Sequence, residues 1–185
     1  MAKVLETTRD TMSSRRDSAE RRFTEVLDRY EASFRRLAAA YERNDDLQRD
    51  LFQEIALAIW RALPSFRNQC SERTFLYRIA HNRAITFISR RRLADVDLTL
   101  AVFVPDTSPS PEASAIRSWE RNELLARVAE LPLNLRQVAV LALEGQDNNE
   151  IAEILGISSG NVAVRLHRAK QLLTQAGSAE GETRK

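Results

Sequence analysis

The chain has 185 residues, 43% of them hydrophobic and 29% charged, with only 5 Gly and 5 Pro. That composition fits a soluble, core-forming protein of one ordinary domain or two small ones, and the scarcity of turn formers favours helices over a sheet. The formal net charge of +2 identifies no partner, the single cysteine Cys70 excludes an intramolecular disulfide, and no apolar run is long enough to insert in a membrane as a helix.

Residues 1–22 read as a polar N-terminal tail without the apolar stretch of a secretory signal, so the chain is expected to be cytoplasmic. From Phe23 a helical pattern begins: Phe23, Val26, Leu27, Tyr30, Phe34, Leu37, Ala38 and Tyr41 recur at steps of three and four and share one face. Asn44, Asp45 and Asp46 break the pattern and offer caps for a second helix over about residues 46–63. Its apolar stripe is Leu47, Leu51, Ile55, Ala58 and Leu63, with Trp60 beside it, and Pro64 ends it. Residues 65–71 form a polar loop. A third helix is expected over about residues 72–92, apolar at Phe75, Leu76, Ile79, Ala80, Ala84, Phe87 and Ile88. Its polar side carries Arg78, His81, Asn82 and Arg83, and it ends in Arg90, Arg91 and Arg92. Residues 23–93 thus make a first helical domain.

Residues 94–117 hold Pro105, Pro109 and Pro111 among Asp and Ser, the composition of a flexible linker. Val102, Phe103 and Val104 are an apolar island within it, either an anchor on a domain or a segment that threads a groove on a partner. A second helical domain spans residues 118–174: Trp119, Leu124, Leu125 and Val128 lead to Leu131-Pro132, a helix follows over about residues 134–143, then a turn at Glu144-Gly145-Gln146. Two short helices split at Gly156 complete it, and residues 175–185 form a tail that should fray. The fold class is therefore all-α: two small helical domains joined by a flexible linker, the C-terminal one a helix-turn-helix.

The strongest local signal runs from Asn148 to Leu166. Asp147 can cap the first helix of the pair, with Glu150 completing a capping box. Ile151, Leu155, Ile157 and Val162 point inward, Ala152 is small where the helices approach, and Gly156 supplies the left-handed residue that stops the first helix. Ser158 can cap the second helix, which presents Ser159, Asn161, Arg165 and Arg168 outward. Asn suits an adenine edge and Arg a guanine or a phosphate, so this pattern points to duplex DNA. Arg165, next to Leu166, is expected to share its role with a bridge to a carboxylate of the same domain. In the first domain, Phe66, Phe75 and Tyr77 lie near basic groups, a combination that suits unpaired DNA. No catalytic constellation, cofactor motif or metal site is expected. His81, His167 and Cys70 are scattered, and no glycine-rich phosphate loop is present.

Three segments in order resemble the extracytoplasmic-function sigma factors of RNA polymerase. Residues 50–55 followed by Trp60-Arg61 resemble the family's polymerase-binding helix. Residues 75–82 resemble its promoter-melting segment, with Phe75 where Trp is commoner. Residues 131–172 resemble its C-terminal DNA-binding domain. The resemblance implies a factor that directs promoter-specific initiation, with core RNA polymerase and promoter DNA as partners, an anti-sigma factor as a third, and no membrane insertion. It implies polymerase contacts at Asp50, Leu51, Gln53 and Glu54. It implies −10 contacts at Asn68, Gln69, Phe75, Arg78, Asn82, Arg83, Arg90, Arg91 and Arg92, and −35 contacts at Ser159, Asn161, Ala163, Val164, Arg165 and Arg168. Ala163 and Val164 stand where the family often has a basic and a small polar residue, which favours apolar contact with thymine methyl groups. The alternative is a helix-turn-helix regulator that binds duplex DNA without acting as a sigma subunit. It accounts for residues 118–173 only.

Overall fold

The computed structural model describes the backbone of residues 2–97 and 115–182, and the side chains of residues 18–91, 93 and 123–175. It contains α1 (Ala2–Tyr41), α2 (Asp45–Ala62), a 3-10 turn (Leu63–Ser65), α3 (Glu72–Asp97), α4 (Ala115–Glu130), α5 (Leu133–Leu143), α6 (Asn148–Leu155) and α7 (Ser159–Glu182), with no strand among the described residues. The apolar island Val102–Val104 lies outside them.

The helix boundaries follow from side-chain chemistry. Asn44 caps α2, its side chain accepting from the Leu47 amide at 3.1 Å, and Asp45 and Asp46 follow at the positive end of the helix dipole. The chain then closes into the 3-10 turn, with Pro64 inside its first two positions. Ser71 caps α3 by accepting from the Thr74 amide at 2.9 Å.

Three termini depart from the sequence expectation. Residues 2–22, polar in sequence, are helical and continuous with the rest of α1, because the segment to Tyr41 contains neither Gly nor Pro to interrupt the helix. The linker expected at 94–117 is helical at both ends, through Asp97 and again from Ala115. At the C-terminus, α7 continues to Glu182 across the segment expected to fray, since no proline stops it.

In the N-terminal half α1, α2 and α3 pack pairwise around Val26, Phe34, Leu37, Leu51, Ile55, Ile59, Leu76, Tyr77 and Ala80. Phe34 sits 5.9 Å from both Tyr30 and Tyr77, ring centre to ring centre. In the C-terminal half α4 to α7 pack around Val128, Leu135, Val138, Leu141, Ile151, Ile154, Val162 and Ala169. The halves touch: α1 lies against α4 and α5, and α3 lies against α6.

The α5–α6 turn makes the most polar part of that contact. Glu144 is buried, and its carboxylate accepts from Arg36 Nε at 2.7 Å, from Arg36 Nη2 at 2.6 Å and from the Tyr77 hydroxyl at 3.1 Å. The Arg73 guanidinium donates to the Glu144 carbonyl. With its amide oxygen turned toward Arg73, Gln146 accepts from Arg73 Nε at 2.8 Å and donates to Glu150 Oε2 at 3.1 Å.

Two glycines are set by backbone conformation. Gly145 has φ +75°, and a Cβ there would lie 3.2 Å from the Arg73 guanidinium. Gly156, between α6 and α7, has φ +66°, and a Cβ there would meet nothing within 4 Å. Gly156→Ala is therefore a pure test of the left-handed conformation. It should lower unfolding free energy by about 1–2 kcal/mol in urea titration with an unchanged slope.

Candidate nucleic-acid interface

The helix-turn-helix is built as its sequence dictates. Asp147 accepts from the Asn149 amide at 2.7 Å and from the Glu150 amide at 2.9 Å, and the Glu150 carboxylate accepts from the Asp147 amide at 2.9 Å, a complete capping box. Gly156 stops α6 in the left-handed conformation, and Ser158 caps α7 by accepting from the Asn161 amide at 3.2 Å. Ile151 and Val162 are buried, whereas Leu155 and Ile157 are half-buried. The second helix of the pair is long rather than short.

At about 100° per residue, Asn161, Val164, Arg165 and Arg168 share one face of α7, turned about 100° from the buried Val162 and Ala169. Asn161, Val164 and Arg168 are exposed and Arg165 is half-buried. The bridge expected from Arg165 to a carboxylate is not formed: its Nε donates to Asn161 Oδ1 at 2.9 Å, four residues back on the same face. The pair fixes both side chains at the surface. Ser159 and Ala163 are exposed but lie off that face.

On α2 the same geometry separates two sets. Leu51, Ile55 and Ile59 are fully buried, whereas Asp50 and Gln53 are exposed and Glu54 is half-buried. Leu51, expected on the polymerase-binding face, is a core residue, since it falls about 100° from Asp50 around the helix. The centre of the exposed face is Leu57, 48% exposed and absent from the sequence expectation. The signal was there: Leu57 is four residues from Gln53 and off the stripe of Leu51, Ile55 and Ile59.

Around the loop, Asn68 and Gln69 are exposed, and Asn68 has φ 55°, a left-handed conformation that Asn tolerates. Phe66 lies 4.7 Å from the half-buried Phe75, and the Arg22 guanidinium lies 5.6 Å from the Phe66 ring centre. The expected −10 residues divide. Asn82 and Arg90 are exposed. Arg78 donates to Glu153 on α6 at 2.8 Å, and Arg83 lies 3.5 Å from Glu54 on α2. Arg91 is ion-paired with Glu42. The side chain of Arg92 lies outside the described residues. Among the described residues no group of His, Cys, Asp and Glu is arranged to hold a metal, and no helix is long and apolar enough to cross a membrane.

Residues 26–93 match the family description Sigma-70 region 2, and residues 121–173 match Sigma-70, region 4. The chain is 31% identical over 161 residues to the ECF RNA polymerase sigma-E factor of Escherichia coli, covering 82% of this chain and 84% of that one. It is 27% identical over 172 residues to the RNA polymerase sigma factor CnrH of Cupriavidus metallidurans, covering 88% and 90%. It is also 30% identical over 142 residues to the probable RNA polymerase sigma factor RfaY of Xanthomonas campestris, of whose length it spans 35%. Among solved structures, the fold is similar to CnrH in complex with the cytosolic domain of CnrY (TM-score 0.63, 23% identity, 86% and 90% covered). It is also similar to the sigma factor RpoE in complex with the anti-sigma factor NepR from Bartonella quintana (TM-score 0.68, 21% identity, 83% and 94% covered). A two-part, all-helical chain with regions 2 and 4 in this order is a sigma factor that directs transcription. The chain belongs to the extracytoplasmic-function (ECF) sigma factor family. The reading as a regulator acting without polymerase finds no support in these likenesses, because it leaves region 2 unexplained.

His81, like Leu51, is interior. His81, placed by sequence on the polar side of α3, is 4% exposed, and its Nδ1 is 3.0 Å from the Tyr41 hydroxyl. Burial lowers its pKa to about 4 and raises that of Tyr41. A histidine held neutral contributes stability that is complete above its unfolded value of about 6.5 and is lost as pH falls toward about 4, because the unfolded chain then binds the extra proton. In urea titrations, the unfolding free energy of the parent should fall between about pH 7 and about pH 4.5 by about 2 kcal/mol more than that of His81→Gln. Equal pH dependence in the two proteins would remove His81 as the source.

Proposed function

We propose that the chain divides sigma-factor work among three surfaces. The exposed face of α2, comprising Asp50, Gln53, Glu54 and Leu57, docks on core RNA polymerase. The loop 65–71 with Asn82 captures a base unstacked from the −10 element. The α7 face of Asn161, Val164, Arg165 and Arg168 reads the −35 element in the major groove. The observation that carries this reading is the completed helix-turn-helix, capped by Asp147 and Ser158 and turned at Gly156, with a polar and basic face left outward.

The chemistry suits each role. Capturing a base costs a few kcal/mol of stacking, and a loop with exposed amide side chains at Asn68 and Gln69 offers hydrogen bonds that offset it. Asn161 suits an adenine edge, Arg168 a guanine or a phosphate, and Val164 a thymine methyl. The domains that carry these surfaces are residues 23–93 and 118–174. The protein works in the cytoplasm, forms no bond itself, and is held in check by an anti-sigma factor, a reading supported by analogy with the CnrH–CnrY and RpoE–NepR complexes.

Elements centred at −10 and −35 are about 25 base pairs apart, or about 85 Å along B-DNA at 3.4 Å per step. Region 2 and region 4 surfaces that touch, as α3 and α6 do, must separate before one chain can occupy both.

Two tests address these surfaces. Replacing Asp50, Gln53 and Leu57 together by Ala should weaken binding to core polymerase at least tenfold while unfolding free energy changes little, since exposed positions cost about 0.5 kcal/mol or less each. Undiminished core binding would remove the α2 face. For the full chain with core, Arg168→Ala and Asn161→Ala should each lose about 1–3 kcal/mol of discrimination for a −35 site if they read a base. A uniform loss across sequences, with a salt slope lowered by about one, would instead assign a phosphate contact. Unchanged affinity and slope in both would take this helix out of the interface.

A further inference from the structure

On the outward face of α7, Arg165 Nε donates to Asn161 Oδ1 at 2.9 Å. The sequence explains why the pair forms. Helical side chains lean toward the N-terminus, so Arg165 reaches back over the preceding turn. Its neighbours three and four positions away are Val162, Asn161, Arg168 and Ala169. Of these, Asn161 alone offers a side-chain oxygen, and the like charge of Arg168 disfavours the opposite direction. Asn161 is the third residue of α7, and its backbone amide donates to Ser158 Oγ at 3.2 Å. The first turn of a recognition helix is the part that meets base edges.

A carboxamide has nearly the same shape either way round, and its last torsion is broad, so a free Asn presents oxygen and nitrogen in either order. The Arg165 N–H removes that freedom. With the oxygen toward Arg165 a hydrogen bond forms, whereas a reversed amide would set two N–H donors against each other. Oδ1 has two lone pairs and Arg165 takes one, which leaves an acceptor beside the Nδ2 donors. In the major groove adenine offers a donor at N6 beside an acceptor at N7, and guanine offers two acceptors, O6 and N7. An edge fixed as acceptor beside donor matches adenine at two points. Against guanine, Oδ1 meets another acceptor, whereas an amide free to turn can donate from Nδ2 instead.

We propose that Arg165 is a positioning residue for base recognition: its Nε–H fixes the order of the Asn161 carboxamide, so that Asn161 reads one adenine of the −35 element and rejects guanine there. The proposal rests on the reading of this α7 face as the −35 surface, and it adds the base and the group that selects it. Arg165 is half-buried and Asn161 exposed, so the deeper side chain orients the outer one. An amide ordered before DNA arrives lowers the ordering cost of binding the correct base. The role belongs to the Nε donor and not to the charge.

Donor and charge can be separated. In Gln the amide nitrogen lies as many bonds from Cα as Nε does in Arg, and in Met a methyl lies there. Arg165→Gln and Arg165→Met therefore both remove the charge and differ in that one donor. Both residues are good helix formers, so α7 is retained. The test uses the full chain with core polymerase, on promoter fragments found by run-off transcription and carrying each of the four bases at every −35 position. Asn161→Ala first marks the position at which preference for adenine over guanine disappears. There the parent should prefer adenine about tenfold. Arg165→Gln should keep that preference even as total affinity falls, and Arg165→Met should reduce it to about twofold or less. Preference kept by both Arg165 variants overturns the positioning role and leaves Asn161 as a base reader. Preference lost in both assigns the discrimination to the guanidinium itself and also overturns the proposal. If Asn161→Ala levels no position, Asn161 reads no base, and the proposal falls together with that part of the −35 reading.

Discussion

Removing a carboxylate from water costs several kcal/mol, and only close, well-directed donors recover that cost. Glu144 meets the requirement with two hydrogen bonds from Arg36 and one from Tyr77, and the pairing in turn raises the Arg36 pKa. The donors are useful only if their positions are fixed. Tyr77 is held by Phe34 and Tyr30, and desolvation pushes its hydroxyl pKa up to about 12, so it remains a donor. Arg36 is steadied by Ser33, whose hydroxyl accepts at 2.8 Å. A single turn of the C-terminal half is thus oriented by the packing of α1 on α3, and the placement of α6 beside Arg78 follows from it.

Each helix that builds a core must also present a working face, and at about 100° per residue the two demands separate cleanly. On α2 the core takes Leu51, Ile55 and Ile59, which leaves Asp50, Gln53, Glu54 and Leu57 on the other side. On α7 the core takes Val162 and Ala169, leaving Asn161, Val164, Arg165 and Arg168. Each face has an exposed apolar side chain among polar ones: Leu57 is 48% exposed and Val164 is 51% exposed. A lone exposed apolar residue is ordinary. On α2 it falls at the centre of a polar face, where a partner can cover it, whereas on α7 Val164 lies at the edge of the face.

Most of the fold could be read from short-range rules. Apolar spacing located the helices because burial and the 3.6-residue period act locally, and Asp147, Glu150, Gly156 and Ser158 signalled the helix-turn-helix through capping chemistry confined to a dozen residues. What was missed is nonlocal or graded. Leu51 reads from the sequence both as part of the apolar stripe and as a polymerase contact, and its burial places it in the core. His81 looked polar by residue type, yet its partner Tyr41 is forty residues away and no spacing rule connects them. Residues 2–22 lack an apolar stripe and so resemble a tail in sequence, while the absence of helix breakers allows α1 to extend through them. Glu144 was read as a turn residue, and nothing near it in sequence announces Arg36, 108 positions earlier.

The same nonlocality explains why net charge is a poor guide here. A total of +2 suggests indifference to DNA, but at physiological salt charges more than about 8 Å apart in water scarcely feel one another. What a DNA strand meets is therefore the local surface. Where α3 lies against α6, Arg78 is matched by Glu153, and where the α5–α6 turn enters, Arg36 is matched by Glu144. The near-neutral total is the same in any arrangement of the halves, and what their contact changes is the local matching of Arg78 by Glu153 and of Arg36 by Glu144. Move them apart by more than a screening length and the chain has the same sum but different surfaces, basic along α1 and α3 and acidic at the α5–α6 turn. Net charge is conserved when such a chain opens, whereas the field that a nucleic acid encounters is not.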